Sequence, residues 1–301
     1  MKRVVSVSIG SSTRNHKATI NVMGEQVSIE RIGTDGDLQK CFAIMRELDG
    51  QVDAFGLGGT NFYLTVAGRK YPMSSELKLA KGIRTPIVDG SNIKSGFESR
   101  LPDFLATETG VDLKTKKVLL MSAVDRYALG EALEKTGCEL FVGDFYFALG
   151  LPIVLRSLMP IKRIVPVVLP LALKLPFGSI YPTGKKQEEI KPTSFSRKAF
   201  DWADIIAGDF HYIRRYMPED LKDKVIVTNT VTPADKELLS KRGAALLITA
   251  SPDFEGRSFA TNVLDALVVA VSGKRPEELG QQGYQEYITK LDLRPRFERL
   301  Q

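Results

Sequence analysis

Histidine and cysteine are scarce in this chain, with two of each in 301 residues. His16 and His211 are too few for a His-rich metal site, and no carboxylate and histidine cluster has metal-ligand spacing, so no metal is expected. Cys41 and Cys138 cannot build a disulfide framework, which points to a reducing, cytoplasmic location. Met1-Lys2-Arg3 lead directly into an alternating strand without an apolar signal-peptide core, which points the same way. Also missing is an uninterrupted apolar run of the roughly 20 residues that a transmembrane helix needs. The most apolar stretch, 149–182, is broken by Pro152, Pro160, Pro166, Pro170 and Pro176 and carries Arg156, Lys162, Arg163 and Lys174. It reads as a lid or a helix packed across a cleft; any membrane contact would be shallow and would run through this segment. The polar loop Tyr181–Gln187 lacks the first glycine and the preceding strand of a P-loop. There is no long basic run, RNP-like aromatic motif or zinc-finger spacing. The net charge of +6 and pI of about 9.1 therefore fit a mildly basic soluble enzyme better than a nucleic-acid binder.

What is present is ordinary globular composition, 43% hydrophobic and 26% charged, in a chain long enough for two domains. Residues 3–9 alternate as a strand, with further strands near 18–22 and 26–31. Asp37 is placed to cap a helix that runs to Leu48. A buried strand at 52–57, a strand pair over 61–72, a short helix near 74–81 and a strand at 85–88 follow, and Gly96–Leu105 reads as a linking helix. From residue 116 short apolar strands (117–121, 139–142, 204–207, 225–229, 245–249) alternate with helices, including Pro233–Arg242 and one from about Ser258 to Val271. This rhythm predicts an α/β fold of two domains. The first is an N-terminal α/β substrate-type domain over 1–105. The second is a C-terminal Rossmann-like, doubly wound parallel sheet over 106–275, with an inserted segment at 149–200. Residues 276–301 form a tail that packs back.

In such sheets ligands sit beyond the carboxyl ends of the strands, at the switch point. There, Ser122-Ala123-Val124-Asp125-Arg126 occupies the place of a dinucleotide-binding turn but holds no glycine. Asp144 ends the next strand, where a carboxylate serves the ribose hydroxyls of NAD. Gly208-Asp209-Phe210 echoes Gly143-Asp144-Phe145; an Asp capping the next turn explains both equally well. His211, Tyr212, Arg214 and Arg215 follow in that loop, which suits the nicotinamide side, a carboxylate ligand or a solvated turn. Arg257 and Ser258 open a helix and suit an anion, and Asn262 and Asp265 are polar residues on that otherwise apolar helix. In the first domain, Ser11 to His16 form a polar loop that suits a hydroxylated carboxylate, and Asp89 beside Gly90 is a candidate ligand or acid/base group.

Pro86–Gly90 through Gly96-Phe97, Val111–Val118, Ala203–Ile206, Thr232-Pro233 to Gly243, and Asn262 to Gly273 together resemble the shikimate/quinate dehydrogenase family. Gly256–Asn262 is similar to a bacterial group labelled quinate 5-dehydrogenase. The resemblance implies a two-domain NAD(P)-dependent oxidoreductase acting on a hydroxylated cyclic carboxylate such as quinate or shikimate. It implies Asp89 as catalytic residue and Ser11, Ser12 and Asn262 as substrate ligands. Ser122, Arg126, Asp144, Arg257 and Ser258 would hold the cofactor, NAD, with NADP as the alternative. The expected partners are the small-molecule substrate and, as a homodimer, a second copy of the chain. The family's proton-handling lysine would fall near Gly59–Phe62, where this sequence has none, and hydride transfer needs a group to take the hydroxyl proton. The rival reading is a transferase or non-catalytic binding protein that uses the same cleft for a nucleotide or phosphorylated ligand.

Overall fold

A computed structural model describes residues 1–173, 189–229, 231–250, 253–254 and 257–301, with 253–254 and 257–258 as backbone alone. Tyr181–Gln187, Lys174 and Pro176 lie outside the described residues.

The first sheet has the order β2-β3-β1-β4-β7. Its strands are β1 (Lys2–Ser8), β2 (His16–Val22), β3 (Glu25–Gly33), β4 (Ala54–Gly58) and β7 (Ile87–Val88). β3, β1, β4 and β7 run parallel, and β2 pairs antiparallel with β3. Between β3 and β4 lies α1 (Leu38–Glu47), capped as expected by Asp37, whose carboxylate accepts the Lys40 amide. The hairpin β5 (Tyr63–Val66) and β6 (Arg69–Pro72) and the helix α2 (Ser74–Ala80) precede β7. The alternation in β1 sends Val5 and Val7 to one face, against Phe42 and Met45 of α1, and Val4 to the other.

The expected linking helix is two: α3 (Ser91–Glu98) and α4 (Leu101–Thr109), the latter closed by Gly110 at φ 68°. Pro102 sits in the first turn of α4, where it costs no hydrogen bond.

The second sheet has the order β9-β8-β10-β11-β12-β15. Its parallel strands are β8 (Lys117–Leu120), β9 (Glu139–Val142), β10 (Ile205–Ala207), β11 (Val225–Thr228) and β12 (Leu246–Thr249). Helices α5 (Tyr127–Lys135), α6 (Asp144–Phe147), α7 (Met159–Ala172), α8 (Ser194–Trp202), α9 (Phe210–Tyr216) and α10 (Pro233–Lys241) connect them. Val118, Leu120, Ile205 and Val227 pack with α5 and α7 on one face, and Leu119, Ile206, Ile226 and Leu247 pack with α8, α9 and α10 on the other. Burial on both faces is why these strands read as continuous apolar runs.

After β12 a short hairpin, β13 (Asp253–Phe254) and β14 (Arg257–Ser258), leads to α11 (Thr261–Ser272) and α12 (Pro276–Lys290), and β15 (Arg296–Arg299) closes the chain against β12, antiparallel. α11 packs on β1 and β4 of the first sheet. It comes so close that a Cβ on Gly56 would lie 2.7 Å from the Asn262 carbonyl oxygen, so only glycine fits there. Gly90 at φ 89° meets the same helix start. The protein is thus a mixed α/β fold with parallel sheets in two lobes.

Candidate functional site

Both sheets reverse their strand order once, between β1 and β4 and between β8 and β10. Ligands gather outside the carboxyl ends of strands at such points. Here both points open onto one cleft of about 300 Å³. Ser6, Ser8, Gly58, Gly59 and Asn61 come from the strands of the first sheet and the loop after β4; Ser122, Asp209 and Asn229 follow β8, β10 and β11 of the second. Ile161, Val165, Leu169 and Leu173 of and just beyond α7 form an apolar roof.

The turn after β8 shows why it needs no glycine. The buried Asp144 carboxylate accepts the amides of Ala123 at 2.7 Å and Val124 at 2.9 Å and the Ser122 hydroxyl at 3.2 Å. The protein supplies its own anion where a cradle would otherwise hold a phosphate. Burial raises the Asp144 carboxyl above its ordinary value, against the three donors that lower it. The first lobe repeats the device: Asp35, after β3, accepts the Ser12 amide at 2.8 Å from the turn after β1.

Next to Asp144 lies a buried ionic cluster. Arg126 bonds Glu98 of α3, Asp209 at 2.9 Å and Asp125 at 3.1 Å. Lys94 donates to the Asp125 carboxylate at 2.8 Å and to its carbonyl at 2.7 Å. Asn229 donates to Asp209 at 2.9 Å. Burial alone would lower the Arg126 pKa, but Glu98, Asp125 and Asp209 together hold it well above the ordinary value. Burial pushes Glu98 up, offset in part by Arg126 and Lys94. Burial also lowers His211 and so favours its neutral form.

The basic end of the cleft is Arg14 and Arg31, both half-buried. Neither makes an ion pair among the described residues. Arg31 donates to the Ser11 carbonyl at 3.1 Å, and Arg14 reaches His211 of the other lobe at 3.5 Å. Burial and then the neighbouring Arg14 lower Arg31 to about 10, with Asp35 opposing.

Asp89 lines the cleft, and its carboxylate accepts the Phe62 amide at 2.7 Å and the Ser91 amide at 2.9 Å. Asn262 also lines it and donates to Ser6 Oγ at 2.8 Å. Ser11 is buried, its hydroxyl capping a turn by accepting the Thr13 amide at 3.2 Å, and Ser12 is exposed. Ser122, Arg126 and Asp144 line the cleft. Arg257 and Ser258 stand on β14 and not at a helix start, because α11 begins only at Thr261. Arg31, Lys94, Glu98, Ser6 and Ser8 escaped sequence reasoning. The one available signal was an arginine inside the half-buried strand β3.

Residues 92–300 match the family described as "Domain of unknown function (DUF8754)", and residues 3–89 match "Domain of unknown function (DUF8753)". No curated protein matches the chain. Among solved structures it is similar to GanP, a glucose-galactose binding protein from Geobacillus stearothermophilus, at 9% identity and TM-score 0.42, covering 99% of this chain and 97% of that one. It is similar to an ABC transporter solute binding protein from Agrobacterium vitis with bound allitol, at 12% identity and TM-score 0.39, covering 100% and 96%. It is also similar to a putative malic enzyme, at 14% identity and TM-score 0.36, covering 96% and 84%.

These findings correct the dehydrogenase resemblance and what it implied: the oxidoreductase activity, the quinate or shikimate substrate, and the NAD or NADP cofactor. Neither matching family carries that description. The physical reason lies in the turn after β8, where Asp144 fills the position that a pyrophosphate would need and would repel it by charge. Arg126, expected to draw a cofactor phosphate, is neutralised by three carboxylates. By the extent of its match, the chain belongs to the family described as "Domain of unknown function (DUF8754)".

Proposed function

We propose that the chain is a non-catalytic ligand-binding protein that holds a small anionic, hydroxyl-bearing molecule in the cleft between its lobes. The observation that carries this reading is the pair Arg14 and Arg31, two cationic groups at the cleft with no ion pair among the described residues, in a site whose acids are already engaged. Asp144 accepts the amides of the turn after β8, Asp125 pairs with Lys94, and Asp209 accepts the His211 amide, so all three are engaged internally. Bidentate guanidinium groups suit a carboxylate or phosphate, and an anion between them would relieve their mutual repulsion. Ser8, Asn61 and Asn229 offer hydrogen-bonding groups to ligand hydroxyls. Asp89 and Asn262 are proposed to shape the first-lobe wall. We read the second lobe as Rossmann-like and doubly wound, the domains as 1–105, 106–275 and the tail, and the location as cytoplasmic, which suits the free thiols of Cys41 and Cys138.

The test is isothermal calorimetry with sugar acids and sugar phosphates against their neutral parent sugars. Binding of the anionic members alone supports the reading. Equal binding of the neutral sugars would remove the role of the two arginines.

A further inference from the structure

α7 is apolar nearly all round, which for a helix of a soluble protein means burial on every side. Only one side is buried: Ile161, Val165 and Leu169 face the core and the cleft. The opposite side stands in solvent, with Val167 at 69% and Leu171 at 62% exposure. Nine of the twelve large apolar side chains exposed among the described residues fall between Leu149 and Leu171, so the exposure is one contiguous stretch of chain and not scatter. A concentration of that kind marks an interaction surface.

Two further observations say what covers it. Lys162 and Arg163 are exposed on the first turns of the same helix and make no ion pair among the described residues. An apolar helix face beside free cations complements a bilayer with anionic headgroups. Ile164 and Val168 belong both to the exposed set and to the cleft lining, so the outer apolar face runs continuously into the cleft mouth. At 14 residues α7 is too short to span a bilayer, and no helix among the described residues is long and apolar enough to do so.

We propose that the segment Leu149–Leu171 docks the protein in the plane of an anionic lipid surface, with α7 half-immersed and the cleft mouth at the headgroups. This goes beyond the cleft reading and can fail without it. The test is flotation of the full chain with vesicles of phosphatidylcholine alone or with added phosphatidylglycerol. The protein is expected to float with the phosphatidylglycerol vesicles and to be released as salt rises through 0.5 M, where screening shortens the electrostatic range. Val167→Glu with Leu171→Glu should reduce the bound fraction at least tenfold. Lys162→Glu with Arg163→Glu should abolish the preference for phosphatidylglycerol. All four side chains are exposed, so circular dichroism and melting temperature should stay as in the parent chain. Absence of flotation with either vesicle overturns the proposal. So does a dimer in light scattering that Leu171→Glu dissociates while flotation is unaffected, because the face would then belong to a second copy.

Discussion

The two lobes are wired alike and stabilised differently. In each, the first strand is flanked by the next parallel strand on one side and by the third parallel strand on the other (β3 and β4 around β1, β9 and β10 around β8), and an Asp after that next parallel strand closes the turn after the first. In the first lobe that Asp is the exposed Asp35 with the Ser12 amide. In the second it is the buried Asp144 with two amides and a hydroxyl, next to the Arg126 cluster. The same topology can carry a solvated turn or a desolvated, charge-saturated one. The second kind leaves little for a cofactor to bind, while Arg14 and Arg31 of the first lobe keep their charge available to the cleft.

Substitutions should widen or erase that contrast. The largest effect is expected for Arg126→Met, which strands Glu98 and Asp209 without their buried partner; urea denaturation should show a loss of about 4–5 kcal/mol. Next is Asp265 of α11, fully buried against the Gly90 amide, Asn92 and Tyr284, and raised by burial from 3.8 to about 7. A carboxyl raised on folding favours the native state in its protonated form. Its contribution is complete below about pH 4 and disappears as pH rises to about 7, on the order of 4 kcal/mol for a shift of this size. Asp265→Asn, which keeps the shape without the charge, should melt above the parent at pH 8 and match it near pH 4. Asp144→Ala leaves the buried Ala123 amide, the partly buried Val124 amide and the Ser122 hydroxyl unsatisfied and should cost about 3 kcal/mol. Asp35→Ala, its counterpart, should cost under about 1 kcal/mol, because Asp35 is exposed and water can satisfy the groups it leaves. Equal losses for Asp35 and Asp144 in denaturant titrations would mean that the two lobes do not differ in this way.

Local structure was largely legible. Asp37 as a cap, the strand pair over 61–72 and the proline-led helix at Pro233 follow from short-range chemistry, and each is present. The echo of Gly143-Asp144 in Gly208-Asp209 does not carry one role: Asp209 caps its own helix by accepting the His211 amide, whereas Asp144 closes the turn after β8. What sequence could not show was the partner of each element. α11 is apolar on most faces, and nothing in its pattern says that it returns to β1 and β4 and not to its own sheet. The helix expected from Ser258 starts at Thr261 because the hairpin Asp253–Ser258 intervenes. The order of elements suggested a dehydrogenase, but such an order belongs to a fold and not to a chemistry. The missing glycines and the missing lysine were the better guide.

Arg14 and Arg31 are proposed to hold the anionic group of a cleft ligand. The most direct measurement of that role is calorimetric titration of the parent chain and of Arg31→Met with the tightest sugar acid or sugar phosphate. Binding to the parent and at least tenfold weaker binding to the variant are expected, with the neutral sugar binding weakly to both. Unchanged affinity in Arg31→Met would contradict that role.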